Sequence, residues 1–117
     1  MPVEFYDFGR IKIDGEFYER DVVIFPDHIF SPWVKRTSHF VDAEELNSIP
    51  DLLKSKPEII IIGTGYDGVT KVDKSAEEFL KSKNIELIIQ KTTEAVKTFN
   101  EAIKNKKIAV ALLHLTC

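Results

Sequence analysis

The sequence predicts an α/β fold: one domain over residues 1–117, with a central sheet that has a parallel C-terminal part and an antiparallel N-terminal part. Three observations carry this. Asp14-Gly15, a strong two-residue hairpin signal, separates short extended runs near the N-terminus. Ile59-Ile60-Ile61-Ile62 is a β-branched run of the kind buried on both faces, as parallel strands are. Beyond it, strand and helix patterns alternate, which is the mark of β-α-β units.

The elements follow in chain order. Ile11-Lys12-Ile13 alternates, Phe17-Tyr18 resumes after the turn, and Asp21 to Phe25 is a β-branched stretch stopped by Pro26. Together they make an antiparallel hairpin or meander from about Phe5 to Phe25. Residues 26 to 41 carry Pro26 and Pro32 with no sustained period, and read as a long connection, functional or hiding an element. Asp42 and Glu45 have the spacing of a helix start, with Ala43, Leu46 and Ile49 on one side. Pro50 opens a second short turn carrying Leu52 and Leu53, and Pro57 ends the helical region. Glu58 to Ile62 is a strand, followed at once by the loop Gly63-Thr64-Gly65-Tyr66-Asp67-Gly68. Ser75-Ala76-Glu77-Glu78 is a capping box for a short helix buried through Ala76, Phe79 and Leu80, and Asn84 suits a left-handed helix end. Ile85 to Ile89 is the next strand. Thr92 or Thr93 caps a longer helix whose stripe is Ala95, Val96, Phe99, Ala102 and Ile103. Ile108 to Leu115 closes the chain as a buried strand, so the second half is β-α-β-α-β with right-handed crossovers.

Composition excludes several classes of function. The chain is 44% hydrophobic and 30% charged, as globular domains are. Sixteen Lys+Arg against nineteen Asp+Glu leave a net charge of −3, without the basic surplus that tracks phosphates, so no nucleic-acid partner is expected. The longest apolar runs, Ile59–Ile62 and Ile108–Leu113, fall far short of the roughly 20 residues that span a bilayer. Met1-Pro2-Val3-Glu4 shows no charged region leading into an apolar one, so no signal peptide is expected and a cytoplasmic location is. A single cysteine excludes an internal disulfide framework, and no cysteine-based zinc site is expected.

In open α/β sheets ligands gather beyond the carboxyl ends of the strands. Here that edge collects Gly63 to Gly68, Gln90 to Thr93, and His114-Leu115-Thr116-Cys117. Gly63, Gly65 and Gly68 formally match a dinucleotide fingerprint, and Glu86 stands near the expected acidic position. The next helix begins too late to face a pyrophosphate, and a tight turn is the expected role. His114 and Cys117 invite a nucleophile and base, but three residues apart on a continuing strand they face opposite sides. A terminal carboxylate on Cys117 would also raise its thiol pKa. The expected roles are a hydrogen-bonded strand-end histidine and a small apolar plug. His28, His39 and His114 lie in distant segments and are expected to be unrelated, with no metal site. Trp33, with Phe30 and Phe40, covers the sheet from the long connection, or forms a partner surface if exposed. Lys104 to Lys107 is a solvated helix end suited to the dipole.

Phe8-Gly9 with Ile11 to Phe25, then Thr37-Ser38-His39, Ile60 to Gly65, Thr93-Glu94-Ala95 with Asn100, and the His114-Leu115-Thr116-Cys117 end occur in that order. Together they resemble the Mth938-like domain family of archaeal hypothetical proteins. The family also includes an adipogenesis-associated Mth-domain protein and, more distantly, a mitochondrial complex I assembly factor. The resemblance implies a three-layer α/β fold with a mixed sheet, often dimeric, and no established reaction or cofactor. Arg36 stands where family members often carry glycine.

Two functional expectations result. The leading one is a non-enzymatic domain that binds another protein, as an assembly or adaptor factor, through the aromatic loop of Phe30 and Trp33. Its rival is a small-molecule or enzymatic site at the strand ends. That site would draw on a polar cluster of Thr37, Ser38, His39, Gly63, Thr64, Gly65, Thr93, His114 and Cys117. Neither expectation requires a cofactor, and a homodimer is compatible with both.

Overall fold

In the computed structural model, which describes Met1–Cys117, the chain opens with β1 (Val3–Asp7), β2 (Arg10–Ile13) and β3 (Glu16–Tyr18), a separate antiparallel sheet in that order. Asp14 (φ 49°) and Gly15 (φ 81°) both take the left-handed conformation that a two-residue hairpin turn needs.

The expected long connection hides structure. β4 (Val22–Ile24) pairs antiparallel with β5 (Ile29–Phe30), and β6 (Phe40–Val41) follows before α1 (Ala43–Ser48). Asp42 caps α1, its side chain accepting from Glu45 N at 2.8 Å. Two-residue strands carry too little periodicity to be seen in sequence. β7 (Ile59–Gly63), β8 (Lys71–Val72), α2 (Lys74–Ser82), β9 (Glu86–Gln90), α3 (Thr92–Lys104) and β10 (Ala109–Leu113) complete the chain. The pair β6–β8 is a small parallel sheet of its own, and β8 is an element the sequence does not announce.

The central sheet has the order β5-β4-β10-β7-β9, parallel from β10 to β9 and antiparallel at β4 and β5. The crossover from β7 to β9 carries α2 on one face; that from β9 back past β7 to β10 carries α3 on the other. Reversing both direction and face preserves the hand, as a common crossover rule requires.

Alternation along the strands divides two cores. Ile59, Ile61, Ala109, Ala111, Leu113, Val22 and Ile24 face α3 and the N-terminal sheet, meeting Phe99, Ile11 and Ile13. Ile60, Ile62, Val110, Leu112, Val23 and Phe25 face α1 and α2, meeting Leu46, Leu80 and Trp33. The two clusters hold 14 and 13 buried residues, so both faces are covered equally and the molecule has three layers.

Three local expectations are corrected. The cap of α2 is Asp73, which accepts from Ser75 N; the Ser75 hydroxyl instead accepts from Ala43 N at 3.0 Å and ties α2 to α1. Neither Thr92 nor Thr93 caps α3: the N-cap is Lys91, whose side chain has no acceptor, and the Thr92 hydroxyl bonds Gly65 N and His114 O. Trp33 is 3% exposed and Phe30 half-buried, so the aromatic loop is core and not a free partner surface. Trp33 is pinned there because its indole N–H donates to the buried Glu45 carboxylate at 3.1 Å.

Candidate functional site

β10 stops at Leu113 because the ladder runs out and the next polar groups belong to other segments. His114 N donates to Gly63 O at 3.0 Å, closing the last rung with β7. Leu113 lies opposite Val22 on antiparallel β4, so Asp21 is delivered beside His114. Leu115 N then donates to Asp21 Oδ1 at 2.8 Å. A strand that leaves its partners in this way no longer alternates, which removes the reason for His114 and Cys117 to face opposite sides.

Asp21 is the hub. Its Oδ2 accepts from Lys35 Nζ at 2.6 Å and lies 2.7 Å from His114 Nδ1. Burial by itself would raise this carboxyl, but hydrogen bonds from His114, Lys35 and the Leu115 amide outweigh it and hold Asp21 at about 2. A carboxylate can only accept, so the 2.7 Å contact, shorter than the 3.3 Å from Lys35 Nζ, places a hydrogen on His114 Nδ1, and the neutral form of the ring would carry its lone pair on Nε2. Lys35 Nζ also lies 4.3 Å over the Trp33 ring, which gives the buried tryptophan a place in the floor of the site.

His39 arrives from the other side. It takes the left-handed conformation (φ 55°), while Lys71 N donates to its carbonyl at 2.9 Å. Arg36 needs no such conformation, so the turn works without the glycine that the resemblance implies at that place. The His39 ring meets the His114 ring edge to face, with centroids 5.1 Å apart. His39 Nδ1 lies 3.0 Å from Ser38 Oγ, and Nε2 lies 3.5 Å from Cys117 Sγ. One ligating atom each from His39, His114 and Cys117 fall within 4.8 Å of one another. Two of the three histidines are therefore neighbours, contrary to expectation. His28 stays apart, stacked on Phe25 and bonded to Asp27. Cys117 is half-buried beside imidazole and is no apolar plug.

The glycine loop holds the chain's own tail. Tyr66 N donates to Thr116 O, and Asp67 N and Val69 N donate to Cys117 O. Gly65 (φ 109°) permits this approach, since a Cβ there would lie 2.5 Å from the Cys117 carbonyl carbon. Gly65 N donates to the Thr92 hydroxyl, which itself donates to His114 O at 2.6 Å. Tyr6 Oη and Gly9 N both donate to Leu115 O, and burial pushes the Tyr6 phenol up to about 12, keeping it a donor. With the Tyr66 and Asp67 amides spent on the tail, Thr64 N on Gln90 O, Gly65 N on the Thr92 hydroxyl and Gly68 N on Gly65 O, the loop has the geometry of a tight turn and none of a phosphate cradle.

A cleft of about 490 Å³ opens over this cluster, lined by Asp21, Lys35, Ser38, His39, His114 and Thr116 among others. The structure thus unites Ser38, His39, Gly63 to Gly65, His114 and Cys117. Thr64 spends its hydroxyl on Gln90 O, Thr93 is exposed with Thr92 in its place, and Thr37 is exposed, its backbone bridging to Phe40. Asp21 and Lys35 are the residues that sequence reasoning missed, while Thr92 and Thr116 stood in segments expected at this edge without being singled out. Once β4 is paired with β10, Asp21 could have been found, because the residue before one strand must adjoin the end of the other.

Comparison with known proteins agrees with this architecture. The chain is 27% identical over 113 residues to NADH dehydrogenase [ubiquinone] 1 alpha subcomplex assembly factor 3 of Xenopus tropicalis; the match covers 97% of this chain and 60% of that protein. Among solved structures it is similar to PH1505 of Pyrococcus horikoshii, at 31% identity and a TM-score of 0.82 with all of both chains covered. It is also similar to MT938, at 29% identity and 0.82, covering 99% of this chain and 98% of that one. A Mth938-like domain from Bordetella pertussis, 17% identical with a TM-score of 0.73, covers 97% of this chain and 85% of that one and shares the fold. No helix is long and apolar enough to cross a membrane. Residues 3–114 match a single family across nearly the whole chain, and the chain belongs to that family, DUF498/DUF598, described as proteins of unknown function.

Proposed function

We propose that the chain is a partner-binding domain with an assembly or adaptor role, working through the strand-end face and not through the aromatic loop. One observation carries this reading. Phe8 (53% exposed) and Tyr66 (45% exposed) meet edge to face at 5.8 Å beside the tail, with Val69 also exposed. The backbone is held at Tyr66, whose N donates to Thr116 O, and just after Phe8, where Gly9 N donates to Leu115 O. Exposed aromatics held rigid bind with little ordering cost, which is what interface anchors need. The similarity to an assembly factor over 97% of the chain supports the same reading.

The test is photocrosslinking in cells, with a photoreactive phenylalanine at Phe8 or Tyr66 and, as comparison, at Phe17 on the N-terminal sheet. One partner protein captured at both strand-end positions and not at Phe17 is expected. Equal capture at Phe17, or adducts of the chain with itself only, would contradict it; the latter would make this face a homodimer contact.

A second reading, a small-molecule or enzymatic site, is favoured by the polar cleft and by the 3.5 Å approach of Cys117 to His39. It requires a burst of nitrophenolate from p-nitrophenyl acetate that Cys117→Ser and His39→Ala both abolish. Without that burst this reading fails.

A further inference from the structure

We propose that His39, His114 and Cys117 form a divalent transition-metal site, His₂Cys in its protein ligands, that takes zinc. A triangle whose sides do not exceed 4.8 Å has a point within about 2.8 Å of all three donors (the longest side divided by √3), so a small contraction reaches bonding distance. The distance from Cys117 Sγ to His39 Nε2 is 3.5 Å. Two ligands on one tetrahedral zinc, at bond lengths of about 2.3 and 2.05 Å, stand about 3.6 Å apart. The third donor is set by the tautomer: with the Nδ1 hydrogen given to Asp21, a neutral His114 offers Nε2, from which the Thr116 hydroxyl at 3.3 Å would turn away to admit the metal.

The outer groups match what such a site needs. Asp21 on His114 is a carboxylate–histidine pair, the commonest way to orient a metal-bound imidazole and raise its basicity. Ser38 Oγ does the same office for His39 at Nδ1. Asp21 balances the charge of Lys35, and Cys117 would meet a dication as its thiolate. A thiolate with two imidazoles suits zinc over magnesium or calcium, which take oxygen ligands. A fourth ligand would come from the cleft that His39, His114 and Thr116 line. An isolated Cys–His hydrogen bond would account for the 3.5 Å contact alone; it would not account for the convergence of His114. The site would take its metal whether or not Phe8 and Tyr66 hold a partner.

The full chain, treated with EDTA, is titrated with cobalt chloride and then zinc chloride. One cobalt per chain, a thiolate-to-cobalt charge-transfer band and displacement by zinc are expected. Cys117→Ser should abolish the band. His39→Ala, at a half-buried turn, should weaken zinc by more than about 100-fold, and Asp21→Asn by about 10- to 100-fold. His28→Ala should leave affinity unchanged. A titration without the thiolate band, or zinc affinity indifferent to His39→Ala, would overturn the site; circular dichroism of each variant separates lost ligands from lost fold.

Discussion

At the amino ends of β7 and β10 the sheet is closed cheaply. Ile108 N donates to the Glu58 carboxylate at 2.8 Å in an exposed setting, and Lys104 to Lys107 reach into solvent nearby. At the carboxyl ends of the same two strands, Asp21, Lys35 and His114 have side chains only 16%, 5% and 10% exposed. Withdrawing an ion pair from water costs stability that apolar residues of similar size would not. The same strands, in the same sheet, thus end in a solvated seal at one side and a buried polar cluster at the other. The difference teaches that the carboxyl end is shaped by something other than stability, and titratable groups clustered in a cleft are where function is first sought.

The largest test of that contrast is Asp21→Ala. It strips three donors of their acceptor and leaves Lys35 charged and buried, so a loss of about 3–5 kcal/mol in urea unfolding is expected. The pH dependence has a definite sign. Asp21 sits at about 2 when folded against 3.8 when free, so its contribution is complete above the free value and is lost as pH falls through about 2. Asp27 and Asp73 are also lowered, so the part due to Asp21 is the difference between wild type and Asp21→Asn across that window.

Gly65→Ala should cost about 1–3 kcal/mol, from its positive φ and from the clash with the tail. It should also speed alkylation of Cys117, which ordinary destabilisation of the opposite end would not. Thr70→Val acts the other way: its buried hydroxyl has no partner, and replacing it by a methyl should gain about 1 kcal/mol. Smallest of all, Glu58→Gln at the solvated end should stay within about 0.5 kcal/mol. A loss there as large as that of Asp21→Ala would erase the distinction between the two ends.

The layers were legible because burial imposes a period. The four isoleucines of β7, the stripe of α3 and the Asp14-Gly15 turn announce themselves through local chemistry that packing then confirms. The site was half legible. The convergence of the glycine loop and the His114–Cys117 tail follows from parallel strands alone, but the partners of His114 and Cys117 do not. Asp21, Lys35 and His39 lie 93, 79 and 78 residues from the groups they touch, and no local period encodes such pairs. Trp33 covers the sheet, one of its two expected roles, and its other role as a partner surface failed for a related reason. Its indole N–H is satisfied by Glu45, twelve residues on, and this is what lets so large a polar-tipped ring enter the core.

The most direct test of the strand-end site is the alkylation rate of Cys117, the sole thiol, with and without one equivalent of zinc. Strong protection in the wild type, lost in His39→Ala, is the result expected if His39, His114 and Cys117 share one ligand. Identical rates with and without zinc in the wild type would contradict it.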